Sequence, residues 1–234
     1  MARLFAALIR HGDYAQLANT PSAHQPFPLT DKGRAQAYDA ARQVHEALEQ
    51  NAWSLIASID TSCLLRGWQT AQLIGDGLQS LGRPTTNIES FDALAERSVG
   101  SAANLSVEQI VEAVRQDPRY PDPPLDWKAN SRYRLPLPGA ESLLEAGDRV
   151  AAHLRKRMRQ LRAEVVSDSL KLFVGHGAAF RHAAFQLGVL EFEQIGRLSM
   201  YHAHPVFLEY SEAGRWRHVL GEWKLRDPDN GCLD

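Results

Sequence analysis

Two continuous apolar runs in this chain each end on a histidine followed by glycine. Residues 4–9 lead into Arg10-His11-Gly12, and residues 172–174 lead into Gly175-His176-Gly177. A strand that is apolar at every position, rather than at alternate ones, belongs in a sheet covered on both faces. Open α/β sheets bind their ligands beyond the carboxyl ends of the strands. His11 and His176 are therefore expected to meet across one pocket. A glycine after each histidine removes the Cβ from the turn and lets backbone N–H groups come close to an anion.

The rest of the chain alternates strand and helix signals. Thr30-Asp31 has the chemistry of a helix start, and Ala37, Ala41, Val44 and Leu48 recur at helical spacing, which predicts a helix running to about residue 50. A second strand follows at 54–59 and a helix at 65–81. Residues 101–138 break the alternation, with a short helix at 107–115 and a proline-rich stretch at 117–124, and read as a lid-like insertion. A long helix at 141–165, a strand at 171–174 and a helix at 178–187 come next. Two final strands, 200–210 and 216–223, flank the turn signal Glu212-Ala213-Gly214. This order predicts one α/β domain over 1–234, a three-layer α/β/α sandwich with a mostly parallel mixed sheet.

Composition excludes the extremes. At 44% hydrophobic and 23% charged, with a formal net charge of −2, the chain is neither disordered nor broadly attractive to nucleic acid. Arg10 and His11 interrupt the N-terminal apolar run before a signal sequence forms, so it reads as the first strand of a cytoplasmic protein with no membrane partner. Cys63 and Cys232 are too few for a disulfide framework. Cys63 reads as a small packed hydrophobe. His202-x-His204 has period two, which puts both on one face of a strand, and no third ligand has metal-site spacing; no metal or cofactor is expected. His182 reads as a packing or capping residue. Trp53, Trp216 and Trp223 read as core or hairpin residues, whereas Trp127, in the insertion, is placed to line a pocket.

Thr61-Ser62-Cys63-Leu64-Leu65-Arg66 places an arginine in the first helical turn after the second strand, facing the same sheet edge as the histidines. Leu94-Ala95-Glu96-Arg97 and Gly139-Ala140-Glu141-Ser142 add a carboxylate each. Together with Leu29-Thr30-x-x-Gly33-x-x-Gln36-Ala37 and Gln69-Thr70-Ala71, these segments follow the order of, and the chain resembles, the histidine phosphatase superfamily with its phosphoglycerate-mutase-like fold. The resemblance implies that His11 attacks phosphorus and that Glu96 is the general acid. It implies that His176 donates to a non-bridging oxygen and that Arg10, Arg66 and Gly177 hold the phosphate. Elementary chemistry agrees: arginine's fork matches two phosphate oxygens, and neutral imidazole is a nucleophile near pH 7.

The chain departs from the pattern in three places. Asp13 follows Gly12, Leu17 stands where an asparagine is usual, and Cys63 replaces a proline. Gln16 or Asn19 is expected to substitute for that asparagine. After Glu96, mutases of the family carry a Tyr-Gly pair, a lysine and adjacent arginines that hold a carboxylate, whereas residues 97–104 here contain no lysine and no arginine pair. This favours a histidine acid-type phosphatase acting on a small phosphorylated metabolite. The alternatives are a cofactor-dependent phosphoglycerate mutase, a protein phosphohistidine or phosphotyrosine phosphatase, and a non-catalytic binding module. The cations Arg115, Arg119, Lys128, Arg132 and Arg134 of the insertion read either as a second anion site or as a solvated face. A homodimer through an edge strand is compatible with the sequence.

Overall fold

A computed structural model describes residues 2–226, so Cys232 lies outside the described residues. In chain order the elements are β1 (Leu4–Arg10), α1 (Asp31–Asn51), β2 (Ser54–Ser62), α2 (Leu65–Ser80), β3 (Asn87–Phe91), α3 (Val107–Arg115) and α4 (Leu143–Arg162). They continue with β4 (Ser169–Gly175), α5 (Gly177–Gln186), the one-turn α6 (Phe192–Ile195), β5 (Leu198–Ser199), β6 (Pro205–Tyr210), β7 (Trp216–Leu220) and β8 (Lys224–Leu225). Six strands form one sheet in the order β3-β2-β4-β1-β6-β7, and β5 pairs with β8 in a separate ribbon.

From β3 to β1 the sheet is parallel, and β6 joins β1 antiparallel, so the sheet is mixed as expected. Every residue of β1 and of β4 is buried. Alternate side chains of β1 serve two cores. Phe5, Ala7 and Ile9 meet α1 and α2 on one face; Leu4, Ala6 and Leu8 meet α4 and α5 on the other. β1 and β4 run in register from Leu4 opposite Ser169 to Arg10 opposite Gly175, so their ends coincide. His11 N then donates to Gly175 O at 2.9 Å. The parallel register alone thus brings the two histidines together.

A buried ionic cluster fastens α4 to the sheet. Asp60 on β2 accepts from Lys171 of β4 at 2.6 Å, from Arg157 at 2.8 Å and from His153 at 2.8 Å. Burial by itself would raise the Asp60 carboxyl. The His153 hydrogen bond, the Lys171 charge and Arg157 hold it below the usual range instead.

Several elements differ from the sequence reading. β3 was not foreseen: Asn-Ile-Glu-Ser-Phe is short and half polar, as suits a sheet edge, and carries no apolar run to find. β6 begins at Pro205 rather than residue 200, because Ala203 adopts φ +49° and turns the chain. His202 and His204 therefore do not share a strand face. The last hairpin forms around Gly214, φ +74°, but β7 stops at Leu220 and Trp223 lies beyond it. Gly221 causes the break: a Cβ there would sit 2.2 Å from Pro205 O. α4 starts after Ser142, which caps it reciprocally with Glu145, and ends at Arg162.

The insertion has a small core of its own. Ile110, Val114, Trp127 and Leu135 pack with Ala23, Val99, Ala102 and Ala140. Trp127 is only 2% exposed, so it is a core residue of this unit and not a pocket aromatic. Trp53 stacks on Phe5, with ring centroids 4.0 Å apart, and Trp216 is buried in the core on the α4–α5 face. Cys63 is exposed, contrary to the packed role expected of it. Among the described residues no helix is long and apolar enough to cross a membrane.

Candidate active site

His11 and His176 lie with ring centroids 5.0 Å apart, both essentially without solvent exposure. The His11 Nδ1 faces Gly12 O at 2.7 Å. A carbonyl only accepts, so Nδ1 carries the proton and Nε2 presents a lone pair. Arg66 Nε donates to that Nε2 at 3.2 Å. Burial, reinforced by the Arg66, His176, Arg10 and His202 charges, lowers the His11 pKa well below 6.5, so the imidazole is neutral at physiological pH. The same causes, burial first and Arg66 next, lower that of His176.

Why His11 is held so firmly follows from glycines on two segments. A Cβ on Gly12 would lie 2.4 Å from Gly33 O, and one on Gly33 would lie 1.9 Å from Asp13 O. The turn after β1 therefore packs main chain to main chain on the start of α1. Side chains then secure it. Gly12 N donates to Thr70 Oγ1 at 3.0 Å, Asp13 N to Gln36 Oε1 at 2.8 Å, and Thr30 Oγ1 to Asp13 Oδ2 at 2.7 Å. The motif residues Gly33, Gln36 and Thr70 thus act on the turn that carries His11.

Arg66 is fully buried and ties both histidines to the loop at residues 22–25. Its Nη1 donates to Gln25 O, and its Nη2 donates to Ser22 O, Ala23 O and His176 Nδ1. Its guanidinium lies over Tyr14 at 4.5 Å, and Tyr14 meets His11 edge-on. His176 Nδ1 faces an arginine that only donates, so Nδ1 is the acceptor here and Nε2 carries the proton toward Ser62 Oγ at 2.8 Å. Donation from Nδ1 to a phosphate oxygen would use the other tautomer. The Ser62 hydroxyl, able to donate as well as accept, permits the exchange. Arg10 donates to Met200 O and lies over Gly177, where a Cβ would stand 3.1 Å from Arg10 Cδ. Gly177 therefore admits the arginine side chain.

Glu96 is 7% exposed and belongs to this cluster. Its Oε1 accepts from Arg97 N at 2.9 Å and from Ala179 N, in the first turn of α5, at 3.1 Å. A residue not foreseen holds its backbone: Arg149 of α4 donates to the carbonyls of Asp92, Ala93 and Ala95. Glu141 grips that arginine at 2.8–2.9 Å, which explains the Gly-x-Glu-Ser segment as support for Glu96.

Gln16 and Asn19 are placed otherwise than expected. Gln16 Nε2 donates to Thr20 O, and Asn19 is an exposed residue at φ +52° whose carbonyl accepts from Val107 N. Gln25 is the buried amide nearby: it accepts from Leu17 N and donates to Pro21 O, shaping the loop that clasps Arg66. His202, read from sequence as a strand residue, comes within 5.7 Å of the His11 ring because Ala203 N bonds Arg10 O. Tyr14, Arg149 and His202 are contributed by turns and by a helix distant in sequence, and no local spacing marks them.

Comparison with known proteins now adds to this geometry. The model of the histidine phosphatase superfamily (branch 1) matches residues 6–222. A mitochondrial serine/threonine-protein phosphatase Pgam5 of Drosophila mojavensis is 28% identical over 210 residues, 88% of this chain. The chain spans 58% of that relative's length. A 2,3-bisphosphoglycerate-dependent phosphoglycerate mutase of Parvibaculum lavamentivorans is 26% identical over 211 residues, covering 88% of this chain and 90% of the mutase. Among solved structures, a mycobacterial glucosyl-3-phosphoglycerate phosphatase superposes with a TM-score of 0.65 at 21% identity, covering 94% of this chain and 98% of its own, a likeness of fold.

Proposed function

The chain belongs to the histidine phosphatase superfamily (branch 1), and from that premise we propose that it is a phosphomonoesterase that hydrolyses a small phosphorylated metabolite through a phosphohistidine on His11. The observation that carries this is the neutral His11 with Nδ1 anchored on Gly12 O and Nε2 directed at the Arg66 guanidinium that also reaches His176. In the first step Nε2 forms a bond to phosphorus as the ester P–O bond breaks, and Glu96 delivers a proton to the departing oxygen. Arg66, Arg10 and His176 offset charge on the non-bridging oxygens. In the second step Glu96 accepts a proton from water as its oxygen attacks phosphorus, and the electrons of the N–P bond return to Nε2. The chain's own cations supply the positive charge, so the reaction runs without a metal.

The test is phosphate release from p-nitrophenyl phosphate in the presence of EDTA, together with an alkaline detergent quench to trap the protein-bound phosphoryl group. Wild type is expected to turn over and to yield a base-stable, acid-labile adduct, and His11→Ala to lose both. Activity that vanishes with chelator and returns with a divalent ion, or an unimpaired His11→Ala, overturns the proposal.

A further inference from the structure

Ser62 is the last residue of β2 and is fully buried. The segment that it opens holds His176 at both ring nitrogens: Ser62 Oγ lies 2.8 Å from Nε2, and Arg66 Nη2 lies 3.3 Å from Nδ1. The two neighbours make competing demands. A guanidinium only donates, so the ring must meet it with a lone pair. The hydroxyl already accepts from Leu64 N at 3.1 Å, and among the described residues its own proton has no acceptor within hydrogen-bond reach except His176 Nε2.

A neutral imidazole has one lone pair to offer. Burial, with the Arg66 charge next, holds the His176 pKa well below 6.5, so the ring is neutral near pH 7. With the lone pair on Nδ1, Arg66 is satisfied and a buried hydroxyl proton is left without a partner, which is unfavourable. With the lone pair on Nε2, Ser62 is satisfied and two donors face one another at Nδ1. The free site therefore cannot satisfy both neighbours at once. An oxygen that accepts at Nδ1 removes the conflict: the ring N–H and the guanidinium both donate to it, while Ser62 donates to Nε2. A phosphoryl oxygen is such an acceptor. The guanidinium that reaches His176 Nδ1 also reaches His11 Nε2 at 3.2 Å, so the attacking nitrogen and the donor flank one arginine.

We infer that Ser62 is a positioning residue which, when phosphate is bound, donates to His176 Nε2 and so makes His176 a neutral hydrogen-bond donor through Nδ1. In the change of tautomer the ring gives its Nε2 proton to water and takes one at Nδ1 from water, so its charge is the same before and after. The inference deepens the hydrolase reading, on which it rests for the phosphoryl oxygen that meets Nδ1. His176 then stabilises that oxygen as a fixed dipole, and the positive charge of the site comes from the arginines. Ser62 itself touches neither substrate nor phosphorus and acts through the ring.

Nitrogen NMR of protein carrying isotopically labelled histidine tests this with inorganic phosphate as the probe. Couplings from ring carbon-bound hydrogens to the two nitrogens distinguish both neutral tautomers and the imidazolium, and the spectrum of His176→Gln supplies the assignment. In wild type, His176 should carry its hydrogen on Nε2 without phosphate and on Nδ1 with phosphate at saturation. Ser62→Ala should reduce the share of the Nδ1–H form in the bound state, weaken phosphate binding by about 3–10-fold and lower kcat/KM for p-nitrophenyl phosphate by a similar factor, the range expected for one neutral hydrogen bond. Ser62→Thr, which keeps the hydroxyl, should restore the tautomer and the affinity. The wild-type spectra decide the matter even if Ser62→Ala fails to fold. If phosphate shifts the tautomer but no ester is hydrolysed, the hydrolase reading fails and the assignment of Ser62 stands. A wild-type His176 that phosphate leaves unchanged, or that keeps hydrogen on Nε2 in the bound state as a neutral ring or an imidazolium, overturns the inference. So does folded Ser62→Ala protein with the tautomer and phosphate affinity of wild type.

Discussion

His182 should make the attachment of the insertion acid-sensitive, by an amount that the structure sets. The residue has no solvent exposure, its Nδ1 donates to Ala178 O at 2.8 Å, and its Nε2 meets Ser131 Oγ at 3.0 Å. It therefore joins α5 to the insertion, as the packing role read from sequence implies. Burial, with the Arg181 charge next, pushes its pKa from 6.5 down to about 3, against a weaker opposing pull from the Ala178 carbonyl. A depressed pKa in the folded state means that the unfolded chain binds a proton first as pH falls. The stabilisation is thus complete above pH 6.5 and is lost progressively toward pH 3. At pH 4.5, two units below the unfolded value, the loss is about 3 kcal/mol at roughly 1.4 kcal/mol per unit. Urea unfolding at pH 7.5 and 4.5 of wild type and His182→Gln checks this, since other titrating groups are common to both proteins. Wild type should lose about 3 kcal/mol more than the variant, or about 6–12 °C in Tm for a chain of this size. If the two proteins lose the same stability between these pH values, His182 does not titrate as its surroundings dictate, and the reasoning is refuted.

Glu96→Gln should lower kcat/KM for alkyl phosphates by about 10²–10⁴-fold and hurt p-nitrophenyl phosphate less, because p-nitrophenolate departs without a proton; equal losses in single-turnover measurements mean that Glu96 only shapes the pocket. Given 3-phosphoglycerate and a bisphosphorylated primer, the protein should release phosphate faster than it interconverts monophosphates, and efficient isomerisation would establish a mutase. Gly12→Ala should abolish trapping of the phosphoryl group, since the added Cβ meets Gly33 O at 2.4 Å; a variant of full activity would show that this main-chain contact is dispensable. Arg149→Met, tested with the same pair of leaving groups, should imitate Glu96→Gln, because it frees the carbonyls of residues 92, 93 and 95; a uniform loss on both esters would assign Arg149 to stability alone.

The sheet and the two histidines were legible because their signals are local. A fully apolar strand ending on histidine specifies both burial and the sheet edge where a ligand meets it, and register supplies the rest. Thr30 and Gly214 marked a cap and a turn for the same reason. The support of Glu96 by Arg149 and the approach of His202 were not legible, since each depends on chain segments brought together from afar. Gln16 and Asn19 were singled out for their amides, a property that says nothing of where a surface turn points. Gln25, which takes the buried place, sits eight residues past Leu17 and accepts from its N–H only because the loop closes on itself. Trp127 misled because an aromatic in an insertion packs a small core as readily as it lines a pocket.

The main-chain contact between Gly12 and Gly33 separates two properties of this molecule mechanically. The turn that carries His11 is located by backbones that touch, through groups whose geometry is fixed by covalent bonds and which no rotamer change can move. The surface beside Glu96 is instead built from side chains on the insertion, on α5 and past β8. Substitutions in those distant segments leave this contact untouched, so the surface around Glu96 can change while the turn that carries His11 stays where it is.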